Sequence, residues 1–512
     1  MLLAIYDLSG IQSFLFSSNK LREISGASAV VHDALFSCLP TLFGETEDDW
    51  KTRKTITLED GEEKKIVYIG GGNALALYDT EKTCAFYTRE LEKQVFLRSG
   101  GGIRLCSAWI TLDERASLAE NQKKLMDRLD ETKKAGGSFS PAPAFPVTAY
   151  DNNNYEPILL FDGGVCSSAV KHAKRGSADT ETGFRALYPE HCPPILSDFD
   201  ETRAENAKNY LAVIHIDGNT MGIRIREFVD SLAGSGEDVF AQMAKLRTLS
   251  VRISELYQNT VRETLEEIWK ENTSGEKVCF RPVVADGDDI TVMLSASDAF
   301  PFVRTFLTKL EKQHIAEFSE SFKPTAAAGI AFVGLHFPFS VAYDMAEACC
   351  KNAKKETIAR CKDAETFGKA PVSSFDYQLC VSNIPDDIGD YRQKHFAFTS
   401  DGTEYRLLRR PYLFSEGSAY SAERFFKESD DLYSDMRKKK IARSKLKGLR
   451  NAYGAGVQEA RRYTEYICAH AKTVGELDAA ERFRNGPFNE AHEAVFFDIL
   501  DVMDIIRKEE QA

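Results

Sequence analysis

Four aspartates have positions that would bring them to one end of a predicted sheet. Asp286, Asp288 and Asp289 form an acidic turn between two apolar runs in the segment VVADGDDITVML. The fourth, Asp217, ends the apolar run YLAVIHID and precedes the glycine-rich turn GNTMG. Carboxylates held close together repel one another and raise each other's pKa. Such a group is stable when a cation lies between the oxygens, and oxygen ligands favour Mg²⁺ or Mn²⁺.

This pattern is suited to nucleotidyl transfer. Two metal ions about 3.5–4 Å apart can activate a hydroxyl and stabilise the leaving group of a phosphoryl transfer. The turn after the fourth aspartate contains Gly218 and Asn219, whose backbone N–H groups could approach a triphosphate closely, and Gly287 lies inside the acidic turn itself. The alternative is ordinary turn chemistry, because Asp and Gly are favoured in hairpin loops whether or not a ligand binds there.

The elements that must position these aspartates follow an order that occurs twice along the chain. Each copy shows a strand, helices, a hairpin, a helix and a strand, which indicates a diverged internal duplication. That order predicts a ferredoxin-like βαββαβ sheet in each copy, and therefore an α+β fold. In such a sheet the first strand lies beside the hairpin strands, so Asp217 and the DGDD turn should face one point at the sheet edge.

The first copy differs from the second at the corresponding positions. It keeps Asp7 on its first strand, but its hairpin has Gly71, Gly72 and Asn73 where the second copy has acidic residues. We therefore predict that the first copy is non-catalytic.

Breaks in composition divide the chain into four predicted segments. The stretch GGSFSPAPAFPVTAYDNNNYEP separates the two copies, and the chain after about residue 380 is mostly helical in pattern. The predicted segments are residues 1–140 for the first copy, 141–208 for a linker subdomain, 209–378 for the second copy, and 379–512 for a C-terminal helical domain.

The composition of the 512 residues predicts a cytoplasmic protein. A net charge of −13 argues against strong non-specific binding to nucleic acid, and 11 scattered cysteines are typical of reduced thiols. The N-terminus lacks the pattern of a signal peptide, and no apolar stretch approaches the roughly 20 residues of a membrane helix. We therefore expect no association with a membrane.

Several motifs resemble the large subunit of type III CRISPR effector complexes, the Cas-ten family. DLSGIQSFLF and KLREISGAS resemble the first Palm domain of that subunit, and GGGN is similar to the degenerate hairpin of this Palm. IDGNTMG, DGDD, AAAGIAF and AEACCKNAKK follow the second Palm in order, while LRRPYLFS and SKLKGLRNAYGAG resemble the C-terminal helical domain. The resemblance covers nearly the whole chain. It implies two adjoining Palm domains related to GGDEF and adenylyl cyclase folds.

The family resemblance also implies an activity and its site. It implies a polymerase/cyclase that joins ATP or another NTP into a cyclic oligonucleotide, a second messenger of antiviral defence. Asp217, Asp288 and Asp289 match the family's acids for two Mg²⁺ or Mn²⁺ ions. Lys354 matches a helix lysine that approaches the triphosphate, and the adjacent Lys355 could substitute for it.

Further nucleotide contacts and partners are carried over from the resemblance. Ser9 and Gly10 match a turn of the first Palm that faces the shared nucleotide pocket, and Gly71 and Gly72 lie in the hairpin of the same domain. The resemblance implies RNA or small CRISPR subunits as partners of the C-terminal helical domain, and an effector that senses the product. Asp286 departs from the family pattern, because it replaces the first glycine of GGDD and adds charge.

The resemblance implies a variant without the N-terminal HD nuclease domain, because the first Palm strand begins at Leu2. In the expected mechanism one ATP binds in each Palm, and a ribose hydroxyl of one attacks the α-phosphate of the other. Two alternatives use the same residues. One is a cyclase that acts on a single nucleotide, and the other is a non-catalytic nucleotide-sensing or RNA-binding subunit of a CRISPR complex.

Overall fold

The computed structural model describes most of the chain. The described residues are 1–18, 20–53, 55–70, 72–135, 147–151, 156–162, 165–178, 181–195, 210–270, 277–318, 323–360, 371–380, 387–415 and 417–505.

The first copy of the repeat forms a four-stranded antiparallel sheet with the ferredoxin-like order β2-β3-β1-β4. Helices cover both of its faces, which explains why the strands are apolar almost throughout rather than at alternate positions. The strands are β1 (Leu2–Ser9), β2 (Lys64–Gly70), β3 (Asn73–Tyr78) and β4 (Arg104–Thr111).

Capping residues define both ends of the longest helix in this part of the chain. The longest, Glu81–Ser99, begins after Thr80, whose side chain accepts a hydrogen bond from the Thr83 amide, and ends at Gly100 with a left-handed backbone. The helices are α1 (Ile11–Phe16), α2 (Leu21–Phe36), α3 (Cys38–Phe43), α4 (Glu47–Thr52), α5 (Glu81–Ser99), α6 (Leu118–Ala135) and α7 (Ala169–Ser177). A short hairpin, β5 (Leu160–Asp162) and β6 (Val165–Ser167), and a 3₁₀ helix, Glu181–Leu187, complete the inter-copy segment.

The second copy forms a sheet with the order β14-β11-β10-β7-β9-β8. Its four strands β10-β7-β9-β8 repeat the order of the first sheet, so the predicted pair of ferredoxin-like sheets is confirmed. Two strands extend it at the β10 edge, where β11 runs parallel to β10 and β14 antiparallel to β11. The strands are β7 (Tyr210–Gly218), β8 (Phe280–Asp286), β9 (Asp289–Ser295), β10 (Ala326–Gly334), β11 (Ser374–Cys380) and β14 (Tyr412–Leu413).

The C-terminal helices share a core with the second sheet. The rings of Phe375 and Tyr377 of β11 pack against Phe425 and Phe426 of a C-terminal helix. Strand β11 itself crosses the predicted domain boundary at residue 378. The helices from 221 onwards are α8 (Met221–Leu232), α9 (Val239–Ile268), α10 (Ala296–Leu310), α11 (Phe339–Arg360), α12 (Ile388–Phe396), α13 (Ala422–Arg437), α14 (Arg443–Ala455), α15 (Val457–Ala469), α16 (Val474–Glu481) and α17 (Phe497–Val502). A hairpin of β12 (Ala397–Ser400) and β13 (Thr403–Arg406) follows α12.

The two copies pack directly against each other. Helix α9 lies across both, because its N-terminal half joins the core of the first sheet and its C-terminal half joins that of the second. The Ser28 hydroxyl of α2 donates a hydrogen bond of 2.7 Å to the Val283 carbonyl of β8. The Phe16 ring of α1 lies 5.4 Å from that of Phe339 on α11. These contacts hold β8 and α11 of the second copy against α1 and α2 of the first.

The expectation that no segment is apolar enough for a membrane helix was too strict. The segment Arg22–Phe43 meets that criterion by length and composition, and 61% of its most apolar window is buried inside the fold. The segment contains most of α2 and all of α3, separated at Ser37, and both helices contribute to the core of the first copy. A helix buried in a protein core can have the same length and apolar composition as a membrane span, and the burial of α2 and α3 identifies them as core helices.

Gly329 permits the close approach of α11 to β10, and its replacement should destabilise the fold. A methyl group there would lie 1.9 Å from the Ala346 carbonyl oxygen and 2.3 Å from the Cys350 nitrogen, both backbone atoms. We expect Gly329→Ala to lower the free energy of unfolding by about 3 kcal/mol, because backbone must move to admit the methyl group. The measurement is thermal or urea unfolding.

The matched control is Gly334→Ala at the end of the same strand, where an added methyl group has no neighbour within 4 Å. It should unfold within about 0.5 kcal/mol of the unaltered chain. Equal stability of the two variants would show that the α11–β10 contact tolerates the extra atom.

Candidate functional site

The structure brings the four predicted aspartates to one edge of the second sheet. Asp217 of β7 is the register partner of Asp289 of β9, which is in turn the partner of Asp286 across the β8–β9 hairpin. Asp288 lies between them in the turn, next to Gly287 with a left-handed φ of 61°. The sheet order therefore creates the cluster, since the first strand lies beside the hairpin as predicted.

Gly218 allows the acidic turn to lie against the end of β7. Its amide donates a hydrogen bond of 3.3 Å to the Asp288 carbonyl. A methyl group at Gly218 would lie 2.5 Å from Asp288 Oδ2 and 2.8 Å from the Tyr257 hydroxyl. Any larger residue would push the aspartate away from the sheet end.

Asn219, which the sequence suggested as a nucleotide contact, is buried and serves the turn. Its amide donates to the Thr325 carbonyl at 2.8 Å, and its side-chain nitrogen donates to Thr325 Oγ1 and the Val372 carbonyl, both at 3.1 Å. These bonds fasten the turn to the neighbouring segments of the sheet. The side chain is 2% exposed, so it holds the loop in place without facing the cleft.

The crowding of the aspartates changes their acid–base behaviour. Burial, reinforced by the Asp217 carboxylate, raises the pKa of Asp288 to about 6. Burial and the charges of Asp217, Asp288 and Asp286 raise the pKa of Asp289 to about 8. The Asp289 side chain is 44% exposed, but its Oδ1 atom is buried and has no hydrogen-bond partner. One oxygen thus faces into the protein while the remainder of the carboxylate is accessible.

Lys354 provides the positive charge nearest to Asp217. Its Nζ lies 2.5 Å from Asp217 Oδ2 and donates a hydrogen bond of 3.0 Å to the Gly218 carbonyl. The lysine projects from α11, whose position is set by the close contact with β10. Lys355, the suggested substitute, is exposed on the same helix.

A cleft of about 410 Å³ lies between the two copies, beside the acidic turn. Asp286, Asp288 and Asp289 line it from the second copy, while helices α1 and α2 line it from the first. The other lining residues are Ile11, Gln12, Leu15, Phe16, Ser28, Val31, His32, Gly72, Phe184, Val283, Val284, Ala285 and Tyr343. The cleft therefore has one acidic wall and one largely apolar wall.

The predicted glycine and serine positions of the first copy have different locations relative to this cleft. Gly72 lines it, whereas Gly71 lies outside the described residues. Ser9 ends β1, with its Oγ 3.4 Å from Cys106 Sγ, and Gly10 turns the chain into α1 with a φ of 84°. Ser9 and Gly10 are therefore just outside the lining, and they direct the helix that forms it.

The first copy contains a reduced counterpart of the acidic site. Asp7 is paired in register with Asn73, as Asp217 is with Asp289. Lys133 lies 2.8 Å from Asp7 Oδ2, in the role that Lys354 has in the second copy. With a single carboxylate neutralised by a lysine, this sheet edge has no excess negative charge of the kind that attracts metals.

The chemistry of the second-copy donors suits a hard divalent cation. Within the described ranges, no three His, Cys, Asp or Glu side chains are already at the spacing of a metal site. The donors are nevertheless all carboxylate oxygens, burial and the charge of Asp217 raise the pKa of Asp288 and of Asp289, and Asp289 has an orphaned buried oxygen. Mg²⁺ and Mn²⁺ prefer such ligands. A cation would have to replace the Lys354 ammonium beside Asp217.

Sequence analysis missed three residues that surround the acidic turn. The ring of His215 on β7 lies near the side chains of Asp289 and Thr291 on β9. Tyr343 of α11 packs against this histidine, and the Tyr257 hydroxyl of α9 lies close to Gly218. All three lie inside apolar periodic segments, where they resemble ordinary core residues. Only the two-residue spacing of His215 from Asp217 on one strand could have indicated that it shares a face with the aspartate.

Comparison with known proteins identifies the second copy and the fold of the chain. Residues 210–364 match the family model of the Cas10/Cmr2 second palm domain. The second copy is therefore similar to the Cas10/Cmr2 second palm domain, the domain that the sequence resemblance implied. No curated protein sequence matches the chain.

Solved structures show that the fold extends over both copies. A crystal structure of the Csm1–Csm4 cassette in complex with cA4 matches with a TM-score of 0.52 and 14% identity, over 99% of this chain and 70% of that chain. The same cassette in complex with pppApA matches with a TM-score of 0.52 and 14% identity, over 99% and 69%. The two sheets thus form a double-Palm fold, with the C-terminal helices as part of the shared architecture.

Replacement of Asp289 by asparagine should stabilise the protein in the absence of divalent cations. The carboxyl ionises near its ordinary value of 3.8 when unfolded, but only near pH 8 when folded, so between these values folding requires proton uptake. The free-energy cost of this proton uptake grows as the pH rises from about 4 to about 8 and is constant above pH 8. The neutral side chain of asparagine does not ionise and avoids this cost. Asp289→Asn should therefore unfold at a higher temperature than the unaltered chain at pH 8 in EDTA.

Thermal unfolding between pH 4 and pH 9 tests this expectation. The advantage of the variant should shrink as the pH falls and disappear near pH 4. Asp7→Asn in the first copy is the control, because its carboxylate is paired with Lys133 and its loss should not stabilise the fold. A pH-independent difference for Asp289→Asn would contradict the crowding of the carboxylates.

Proposed function

We propose that this chain is a nucleotidyltransferase that joins ATP, or another NTP, into a cyclic oligonucleotide messenger of a type III CRISPR system. The observation that supports it most strongly is the cluster of Asp217, Asp288 and Asp289, with Lys354, beside a cleft between two Palm domains. The matched Csm1–Csm4 cassettes are complexes with cA4 and with pppApA, which fits a substrate built from adenosine nucleotides.

In the proposed reaction, Asp217, Asp288 and Asp289 hold two Mg²⁺ or Mn²⁺ ions. When bound, such ions promote ionisation of a ribose hydroxyl and offset the charge of the leaving pyrophosphate. The hydroxyl oxygen of one nucleotide forms a bond to the α-phosphorus of the other. The α–β phosphoanhydride bond breaks, pyrophosphate leaves, and the hydroxyl proton passes to solvent.

The protein supplies position and charge for these steps. Lys354 exchanges its contact with Asp217 for the triphosphate, so that the same ammonium serves the site with and without nucleotide. Helices α1 and α2, together with Gly72 immediately before β3, form the first-copy wall of the cleft, and this wall places the second nucleotide against the acidic turn. Since phosphoryl transfer needs little covalent participation from the protein, positioning and electrostatics provide most of the acceleration.

The partners of the complex belong to the same proposal. The C-terminal helices would bind RNA or small CRISPR subunits, and a separate effector would sense the product. A basic run extends from Arg437 to Arg450, and Arg437, Lys438 and Lys439 are exposed at the end of α13. Further along the run, Lys447 and Arg450 are paired with Asp504 and Asp501, so only part of this charge is available to a partner.

Loss of the acidic turn should abolish synthesis. The purified protein is incubated with each NTP and Mg²⁺ or Mn²⁺, with and without RNA, and the products are analysed by mass spectrometry. Asp288→Ala/Asp289→Ala should lower the rate at least about 100-fold, because the carboxylates that would hold the metal ions are removed. Asp7→Asn, at the corresponding place in the first Palm, is the matched control and should retain activity.

The products separate the proposed function from its two alternatives. A cyclic oligonucleotide with pyrophosphate, from the unaltered protein only, supports it. A cyclic mononucleotide would instead indicate a mononucleotide cyclase. ATP binding without any product, with RNA present, would indicate a sensing subunit.

Lys354 and Lys355 should differ sharply although they are adjacent. Lys354→Met removes the ammonium that lies beside Asp217 and that would contact the triphosphate. We expect this variant to lose about 10- to 100-fold in kcat/KM for the nucleotide. Lys355→Met removes an exposed charge from the same helix and should leave kcat/KM within about twofold of the original. Steady-state kinetics of pyrophosphate release measures both. Equal losses would show that only the general charge of α11 matters.

A further inference from the structure

We propose that His215 and Tyr343 are positioning residues that link the first-Palm wall of the cleft to the carboxylate of Asp289. The inference rests on the proposed function, because it concerns how Asp289 is held for metal binding. Through these two side chains, the packing of α1 in the first Palm would determine the affinity of the acidic site in the second.

The His215 side chain lies beside the buried oxygen of Asp289. Its Nδ1 lies 3.4 Å from Asp289 Oδ1, which otherwise has no polar partner, and 3.0 Å from Thr291 Oγ1. His215 and Thr291 are register partners on β7 and β9, so the sheet itself fixes the ring. The imidazole is 5% exposed and cannot swing into the cleft without unpacking. Its placement therefore sets the rotation of the Asp289 carboxylate.

Tyr343 connects this histidine to the first Palm. Its ring packs edge-on against His215, with centroids 5.5 Å apart and planes at 71°. On its other side, the Tyr343 ring lies 4.4 Å from that of Phe16, and its hydroxyl accepts a hydrogen bond of 3.5 Å from Gln12 Nε2. Phe16 and Gln12 belong to α1 and line the cleft, as Tyr343 does. A displacement of α1 would therefore be transmitted to His215 by ring contact.

Helix α1 is itself held by the segment between the two Palms. Lys174 of α7 is 1% exposed, and its Nζ donates hydrogen bonds to the Phe14 carbonyl and, at 2.7 Å, to Ser17 Oγ. The same ammonium lies 4.8 Å from the centre of the Phe14 ring. The C-terminal end of α1 is thus anchored by a buried charge. The position of α1 against Tyr343 depends on the docking of this segment.

The chain of contacts predicts that side chains of α1 affect metal binding chiefly through Tyr343 and His215. A double-mutant cycle isolates such coupling, because spatial intermediacy alone does not establish it. Phe16 and His215 share Tyr343 as a neighbour and have no contact with each other among those observed. Any interaction energy between them must pass through the intervening side chain.

The experiment measures the half-saturating Mn²⁺ concentration without nucleotide, by electron paramagnetic resonance of free Mn²⁺, for Phe16→Leu, His215→Leu and the double variant. His215→Leu should weaken Mn²⁺ binding about tenfold. Phe16→Leu should weaken it about three- to tenfold in the original chain but less than about twofold in the His215→Leu background. Ser13→Ala, an exposed residue of the same helix, is the control and should leave binding unchanged.

Three outcomes decide the proposal. Non-additive losses for Phe16 and His215 support it. Additive losses, or no loss from Phe16→Leu, overturn it. Should Phe16→Leu fail to fold, Gln12→Ala repeats the cycle with an exposed side chain that reaches only the Tyr343 hydroxyl, and the same comparison applies. Failure of the unaltered protein to bind Mn²⁺ more tightly than Asp288→Ala/Asp289→Ala would instead count against the proposed metal site.

Discussion

The repulsion among carboxylates at the end of the second sheet is the constraint on which the other features of the site depend. Asp217, Asp288 and Asp289 are placed together by strand register, and burial makes their shared charge costly, as the raised pKa of the last two shows. The fold tolerates this arrangement because Lys354 reaches across from α11 to the first aspartate. The close approach of that helix at Gly329 is therefore part of the electrostatics of the site as well as of the core. A cation or a triphosphate entering the cleft meets three crowded carboxylates and the single lysine that contacts one of them.

Much of the fold and the centre of the site could be predicted from the sequence because both follow from period and order. The strand–hairpin–strand pattern determined which strands are neighbours, and neighbouring strands brought Asp217 beside the DGDD turn. The same logic identified the first copy as lacking the corresponding acids. These inferences needed only the alternation of apolar runs and the position of polar residues at strand ends.

Other features depended on contacts between segments distant in sequence. Strand β14 joins the second sheet from beyond residue 400. The sequence therefore could not show that the predicted domain boundary at residue 378 divides strands of a single sheet. The apolar stretch of α2 and α3 could not be distinguished from a membrane span by composition, since its burial depends on helices elsewhere. Asn219 has the chemistry of a ligand contact, but Thr325 and Val372 take up its amide. His215 and Tyr343 lie in periodic core patterns and gave no local signal.

The pairing of Asp7 with Lys133 in the first copy has a bearing on how such a chain could have arisen. An aspartate at the end of the first strand and a lysine from the helix after the fourth strand occur in both copies, whereas the hairpin acids occur in only one. The simplest history is that the ion pair was present in the single copy before it was duplicated. Two copies joined in one polypeptide can differ in sequence, so the two walls of the cleft need not be identical. One wall could then keep the charge, while the other specialised in shape, a division that no symmetric dimer can achieve.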